Sequence, residues 1–188
     1  MAQPTLHTAR ITLVPLAEEH LDLEVELDSD PAVMRFLTGR AMAREDVEAR
    51  HVQRLAEGRL VEGLGFWVGF VGDAFVGWWI LSPHVEGGVV VPGDAELGYR
   101  LRQAWWRKGL ASEGSRALLR HGFESAGLQR VFAETMAVNT GSRAVLATVG
   151  LRYVRTFDGG YDDPLPGAEQ GEVEYAVTRE QWLASQQV

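Results

Sequence analysis

The stretch that most constrains the fold of this chain runs from residue 95 to residue 126, where a strand pattern passes through Gly109 into a helix pattern. Apolar side chains recur at every second position of its first part: Leu97, Tyr99 and Leu101. This alternation predicts a strand with one buried face, and the apolar stripe after Gly109 predicts an amphipathic helix. A second strand pattern follows over residues 130–137. The whole stretch is therefore predicted to be a βαβ unit with a right-handed crossover.

The joint between this strand and helix is the place where a ligand is expected. Backbone N–H groups in the first turn of a helix have no acceptor inside the helix, and the helix dipole adds positive potential there. Together they form an anion site that suits a pyrophosphate. Gly109 permits a tight turn and a close approach of backbone to phosphate, while Arg107 and Lys108 add positive charge. The same joint also occurs as plain α/β architecture, so it does not identify the ligand by itself.

Three motifs in a fixed order narrow this choice. The sequence WWRKGLASEG surrounds Gly109, NTGS stands at Asn139–Ser142, and VGLRYV stands at Val149–Val154. In this order and spacing they resemble the GNAT superfamily of acetyl-CoA-dependent N-acetyltransferases, most closely the branch that includes ribosomal-protein N-terminal acetyltransferases. The cofactor-loop pattern of that branch, Trp-x-Lys-Gly-x-Ala-(Ser/Thr)-Glu, is matched by Trp106, Lys108, Gly109, Ala111, Ser112 and Glu113. The resemblance covers nearly the whole chain.

The resemblance implies a single α+β domain over residues 1–188. Its sheet would be of the GNAT type, mixed, mostly antiparallel and twisted, with a central βαβ unit that binds acyl-CoA and with flanking helices. The pantetheine arm of acetyl-CoA would run beside the strand, and the pyrophosphate would rest on the loop. The residues implied to contact the cofactor are Tyr99, Leu101, Trp106, Arg107, Lys108, Gly109, Leu110, Ala111, Asn139 and Ser142. Asn139 and Ser142 are equally good N-caps for a helix that starts there, so both roles stay open for them.

Glu96 and Ser142 are the candidate catalytic residues. Glu96 stands about where many family members carry a glutamate that deprotonates the amine through water. At period two its side chain points opposite to Leu97, although a bulge that the family has in this strand would break that parity. The alternative for Glu96 is a surface strand residue that pairs with Arg100 or a neighbour. Many members use a tyrosine four residues after the Ser142 position as the thiolate acid. That residue is Leu146 here, so Ser142 is the expected substitute.

The expected activity is transfer of an acetyl group from acetyl-CoA to a primary amine by direct attack on the thioester. The acceptor would be a protein N-terminus or a small amine. Two alternatives stay open: a different donor such as succinyl-CoA, and a non-catalytic module that binds acyl-CoA. The reaction needs no metal, and the five histidines are too scattered to suggest a metal site.

Composition limits the other partners. A net charge of −8 opposes nonspecific binding to nucleic acid, which depends on Lys and Arg to neutralise phosphates. The sequence has no apolar run long enough to span a membrane and no signal-peptide pattern. It also has no cysteine, which excludes disulfides and a cysteine nucleophile. We therefore expect a cytoplasmic monomer or homodimer that contacts neither nucleic acid nor membrane.

Patterns outside the βαβ unit predict several further elements. Residues 44–57 are expected to form a helix with three apolar residues on its buried side: Val47, Val52 and Leu55. A β-hairpin is predicted about the turn Gly72-Asp73. Residues 83–93 are predicted to be a glycine-rich loop that leads to the central strand.

Overall fold

The computed structural model describes residues 3–160 and 164–186, and within them eight strands form one sheet. The strands are β1 Leu6–His7, β2 Thr12–Pro15, β3 Gly65–Val71, β4 Ala74–Glu86, β5 Val89–Leu101, β6 Arg130–Met136, β7 Arg152–Phe157 and β8 Glu172–Thr178. The helices are α1 Leu21–Asp28, α2 Arg44–Glu57, α3 Leu110–Glu124, α4 Thr140–Thr148 and α5 Arg179–Ser185. The spatial order is β1-β2-β3-β4-β5-β6-β8-β7, and β5 and β6 are the parallel pair in an otherwise antiparallel sheet. The fold is thus α+β and mostly antiparallel, as expected.

The predicted βαβ unit is β5, α3 and β6. Its helix lies directly on the sheet, and two glycines inside α3 show how closely. A Cβ atom at Gly114 would lie 2.4 Å from the indole of Trp79, and one at Gly122 would lie 2.8 Å from Leu128. Real Cβ atoms do not approach other heavy atoms so closely. Each of these glycines is less favourable in a helix than alanine by about 1 kcal/mol. Only a residue without a Cβ atom lets the helix pack this closely on the sheet.

Pairing between β5 and β6 stops after three residue pairs, Asp94–Arg130, Ala95–Val131 and Glu96–Phe132. Beyond them β5 continues to Leu101 and β6 continues to Met136 without pairing to each other. This leaves a cleft in the middle of the sheet, bounded by residues 97–101 and 133–136 and closed by Glu96 and Phe132. We call it the central cleft. Its unpaired strand edges can accept hydrogen bonds from, or donate them to, an extended ligand.

The predicted loop over residues 83–93 is wrong. Strand β4 continues to Glu86 and β5 starts at Val89, so the two strands form one long hairpin around Gly87 and Gly88. These glycines have φ of 57° and 82°, and positive φ at both central residues is what a two-residue hairpin turn of type I′ requires. The glycines thus mark a tight turn within a hairpin, while the other predicted turn, at Gly72-Asp73, is present as expected.

The buried side of α2 also differs from its prediction. Val47 is buried as expected, but Val52 is 68% exposed, and the residues buried beside Val47 are His51 and Arg54. These polar residues can be buried because they pair with carboxylates of α1. Arg54 Nη1 donates to Glu24 at 2.6 Å. Helix α2 is therefore attached through charges at positions where an apolar stripe was expected.

The same buried network reaches the central strand. Arg100 of β5 donates to Asp28 of α1, which is completely buried and also pairs with Arg54 at 3.3 Å. The guanidinium of Arg100 lies over the ring of Trp78, 4.7 Å from its centroid. Because Arg100 is engaged with Asp28, it is not the ion-pair partner of Glu96.

In the described part of the chain, no helix has both the length and the apolarity that a membrane span requires.

Candidate active site

The loop before α3 has the geometry of an anion cradle. Gly109 is the N-cap of α3 in the left-handed region at φ 77°, and Arg107 is also left-handed at φ 57°. Among the described residues, the backbone N–H groups of 107–111 find no hydrogen-bond acceptor. Successive N–H groups in such a turn form a concavity that binds anions. The ammonium of Lys108 lies 4.8 Å from the centroid of the Trp105 ring, which keeps a positive charge at the loop.

Two tryptophans hold this loop in place. Trp106 Nε1 donates to the carbonyl of Leu101 at 2.7 Å, so the loop is tied to the end of β5. Trp79 Nε1 donates to the carbonyl of Ala111 at 3.2 Å, which fixes the first turn of α3 on the sheet. The side chain of Leu110 is buried in the core, so this residue can offer a ligand only its backbone. The cradle is therefore tied to the end of β5 and to the core of the fold.

On the face of the sheet that α3 and α4 cover, the structure brings Tyr99 and Ser142 together. The Tyr99 hydroxyl lies 3.1 Å from Ser142 Oγ and donates to the Ser142 carbonyl at 3.3 Å. Burial raises the pKa of Tyr99 to about 12, although its hydrogen bond to Ser142 acts in the opposite direction. The phenol is therefore protonated at neutral pH and can donate a hydrogen bond.

Tyr99 is a candidate to interact with the leaving thiolate, and the spacing of residues in the sequence did not identify it in that role. The rule that looks four residues beyond Ser142 finds Leu146, whose side chain is buried in the core. The tyrosine hydroxyl comes instead from β5, 43 residues earlier in the chain. Alternation along β5 places Tyr99 on the face that α4 covers, but only the packing of α4 shows that Ser142 is its partner.

Asn139 acts as the N-cap of α4. Its Oδ1 accepts the Ser142 N–H at 3.1 Å, and its Nδ2 donates to Thr135 Oγ1 at 3.2 Å. The capping role that was left open for Asn139 is thus present. Because these bonds fix the start of α4, they also fix the position of Ser142 against Tyr99.

Glu96 lies at the closed end of the central cleft. The β4–β5 register is continuous from Leu101 back to Ala95, and its shift falls in β4 between Pro83 and Val85. The parity that a bulge would have broken therefore holds in this pairing, and Glu96 faces away from Tyr99. The Glu96 carboxylate accepts no hydrogen bond from any described residue. Burial raises the pKa of Glu96 to about 7, and the nearby charge of Glu134 acts in the same direction.

Further charged groups surround Glu96 on its face of the sheet. His84 Nδ1 lies 3.0 Å from Asp94 Oδ2, and the His84 ring meets the edge of Phe132 with 5.0 Å between centroids. Arg130 donates to Asp94 at 2.8 Å and also pairs with Glu174. Burial and the charge of Glu174 raise the pKa of Glu134. This half of the sheet carries more carboxylates than cations, which suits an ammonium group.

The central cleft is thus flanked by two kinds of chemistry. A carboxylate with a pKa near neutrality stands on one face, and a hydroxyl pair, Tyr99 with Ser142, stands on the other. The anion cradle lies beyond the C-terminal end of β5, at the open end of the central cleft. Over residues 3–160 and 164–186 no three His, Asp or Glu side chains are grouped so that they could hold a metal ion. An elongated substrate with an anionic end and a reactive carbonyl at the closed end would fit this arrangement.

Comparisons with known proteins identify similar sequences and similar folds. The model of the acetyltransferase (GNAT) domain matches residues 10–152. The chain is 45% identical to the FsC-acetyl coenzyme A-N(2)-transacetylase of Aspergillus fumigatus over 98% of this chain and 80% of that one. Similar solved structures include the ribosomal-protein acetyltransferase RimL in complex with coenzyme A, with TM-score 0.77, 16% identity and coverage of 93% and 98% of the two chains. Mycobacterium smegmatis RimJ is similar with TM-score 0.75, 22% identity and coverage of 99% and 98%.

Proposed function

The chain belongs to the GNAT acetyltransferase family and is an acetyl-CoA-dependent N-acetyltransferase, and from this premise we propose that its acceptor is FsC or an amine related to it. The observation that carries the proposal is the 45% identity, over nearly the whole chain, to an enzyme whose name gives FsC and its N(2) nitrogen. The likeness to RimL and RimJ is below 25% identity and carries the fold alone. FsC or a related amine is therefore favoured over the protein N-termini that RimL and RimJ suggest.

The proposed cofactor position follows from the cradle and the cleft. The pyrophosphate of acetyl-CoA accepts hydrogen bonds from the N–H groups of residues 107–111, which have no protein acceptor among the described residues. The pantetheine arm lies in the central cleft along the unpaired edge of β5, from Leu101 toward Glu96. The cleft closes at Glu96, and the thioester stops there.

Glu96 is proposed to be the base. The acceptor arrives as an ammonium ion, which has no lone pair and cannot attack a carbonyl. A carboxylate with a pKa of about 7 is largely ionised at slightly alkaline pH and can accept that proton. The freed amine then attacks the thioester carbon and the C–N bond forms. Glu96, having passed the first proton to water, accepts the second proton from the nitrogen, and the C–S bond breaks to release the thiolate of CoA.

Tyr99 and Ser142 are proposed to stabilise the departing thiolate. A phenol with a pKa of about 12 is a weaker acid than a thiol, so complete proton transfer from Tyr99 to sulfur is unfavourable. A hydrogen bond from the hydroxyl pair to the developing negative charge carries no such cost. The pair therefore supports the leaving group as a hydrogen-bond donor, and the two protons lost by the acceptor nitrogen leave through Glu96.

An acceptor panel tests the proposal. Purified enzyme would be given acetyl-CoA with FsC, with spermidine or with a short peptide that has a free N-terminus, and release of free thiol would be followed. We expect kcat/KM for FsC to exceed the other values by about a hundredfold, and mass spectrometry should find one added acetyl group on N(2). A peptide or polyamine that reacts faster than FsC would overturn the proposed acceptor. Succinyl-CoA in the same assay tests the donor and should react more slowly than acetyl-CoA.

A further inference from the structure

Glu113 belongs to the cofactor-loop motif but carries a negative charge beside the place where a pyrophosphate binds. It lies in the first turn of α3 and its side chain is 17% exposed. Left unpaired, a carboxylate at this position would repel the phosphates. The structure instead engages it with residues from the start of the chain. Thr8 Oγ1 donates to Glu113 Oε1 at 2.6 Å, and the backbone N–H of Arg10 donates to the same oxygen at 2.8 Å.

The side chain of Arg10 completes the contact. Its Nε donates to Glu113 Oε2 at 2.7 Å, and its Nη2 lies 2.6 Å from that oxygen. Burial acts to raise the pKa of Glu113, but the hydrogen bonds from Thr8 and Arg10 outweigh it and hold this pKa below its ordinary value. Glu113 is therefore ionised, and the guanidinium beside it offsets its charge.

Arg10 also sets the orientation of a peptide unit in the cradle. Its Nη1 donates to the carbonyl of Lys108 at 2.9 Å, and the chain has no cis peptide among its described residues. In a planar trans peptide the C=O and the N–H point in opposite directions. The bond from Arg10 therefore directs the N–H of Gly109 away from the guanidinium and toward the other side of the loop. A Cβ atom at Gly109 would lie 3.5 Å from Arg10 Nη2, which shows how close this guanidinium is to the loop.

We infer that Arg10 and Glu113 form a clamp that positions the cradle for the pyrophosphate of the cofactor. Arg10 orients the Lys108–Gly109 peptide, Glu113 orients Arg10, and Thr8 fixes Glu113. The clamp acts on the anionic half of acetyl-CoA and leaves the thioester end untouched. The inference rests on the proposed cofactor site but not on the identity of the acceptor.

A comparison of two donors tests the clamp. Acetyl-pantetheine carries the same thioester as acetyl-CoA but lacks the pyrophosphate, so its reaction does not use the cradle. Arg10→Gln should raise KM for acetyl-CoA by about tenfold to a hundredfold, the effect of losing charge-assisted hydrogen bonds. The same variant should leave kcat with saturating acetyl-CoA within about threefold, and kcat/KM for acetyl-pantetheine within about twofold. Arg44→Gln is the matched control, because Arg44 is an exposed arginine whose ion-pair partners among the described residues are Asp22 and Glu48 at the surface.

Further variants separate positioning from general folding. Arg10→Lys keeps the charge but not the planar fork, so it should also raise KM for acetyl-CoA, by less than Arg10→Gln. Glu113→Gln combined with Arg10→Gln should cost little more than Arg10→Gln alone, because the two residues act as one device. Equal losses with acetyl-CoA and acetyl-pantetheine, or an unchanged KM for acetyl-CoA, would overturn the inference. Calorimetric titration with CoA needs no acceptor amine, so it checks the clamp independently of FsC.

Discussion

Replacement of Glu96 by glutamine removes a carboxylate whose titration is shifted by the fold, and this has a measurable consequence for stability. Its pKa is raised from an ordinary value of 4.5 to about 7, mainly by burial. Well below pH 4.5 the side chain is protonated in both the folded and unfolded chains. Between pH 4.5 and 7 the folded chain binds more protons than the unfolded chain, so the free energy of unfolding falls as the pH rises.

The size of this effect follows from the difference between the two pKa values, which corresponds to about 3 kcal/mol. A glutamine side chain does not titrate, so the Glu96→Gln variant should gain about 3 kcal/mol in stability relative to the parent chain between pH 4.5 and pH 7.5. Urea unfolding of both proteins across this range measures the difference. Glu45→Gln is the control, because Glu45 is exposed on α2 and its replacement should give a difference that hardly changes with pH.

The same variant tests the base. Only the ionised carboxylate accepts a proton, so kcat/KM of the parent enzyme for the acceptor should rise with pH through about 7. Glu96→Gln should lower turnover at pH 7 by about a hundredfold or more. The deficit should shrink toward about pH 10, where a substantial fraction of an unperturbed alkyl amine is already free.

Two results would refute this reasoning. A stability difference that is flat from pH 4.5 to 7.5 would show that Glu96 titrates normally and is not held in a desolvated site. A pH–rate profile that overlays the parent profile, measured where chemistry limits the rate, would remove Glu96 from the mechanism. The two assays are independent, because unfolding requires neither cofactor nor acceptor.

Other perturbations test the cradle, the leaving group and the helix packing. Gly109→Glu should abolish CoA binding in calorimetry, because it adds a carboxylate to an anion site at φ 77°, and affinity within about threefold of the parent would place the cradle elsewhere. Tyr99→Phe should lower turnover by about tenfold to a few hundredfold with little change in KM for acetyl-CoA, whereas unchanged turnover would leave this tyrosine as a packing residue. Gly114→Ala should destabilise the protein by about 1–3 kcal/mol in urea unfolding because its Cβ meets the ring of Trp79. Gly141→Ala is its control, since that Cβ has no neighbour closer than 3.8 Å, and it should be neutral or stabilising; equal costs at the two glycines would argue against close packing.

Much of the fold could be read from local patterns. The alternation around Tyr99 predicted a strand, the glycine at 109 predicted a turn into a helix, and Gly72-Asp73 predicted a hairpin turn. Each of these depends on residues a few positions apart, and the physics of strands, turns and caps acts over the same distance. The loop prediction for residues 83–93 was wrong because a Gly-Gly pair is compatible with both a loop and a hairpin turn. Only the pairing between β4 and β5 decides between these two structures.

The sequence by itself determined the βαβ unit, its glycine turn and the order of the motifs around it. Only the tertiary structure decided which distant side chains meet: Tyr99 with Ser142, Arg10 with Glu113, and Arg100 with Asp28. These contacts depend on how helices are rotated and placed on the sheet, and periodicity fixes the type of an element without fixing its neighbours. The raised pKa of Glu96 has the same origin, because desolvation comes from the strands and side chains that close the central cleft around it.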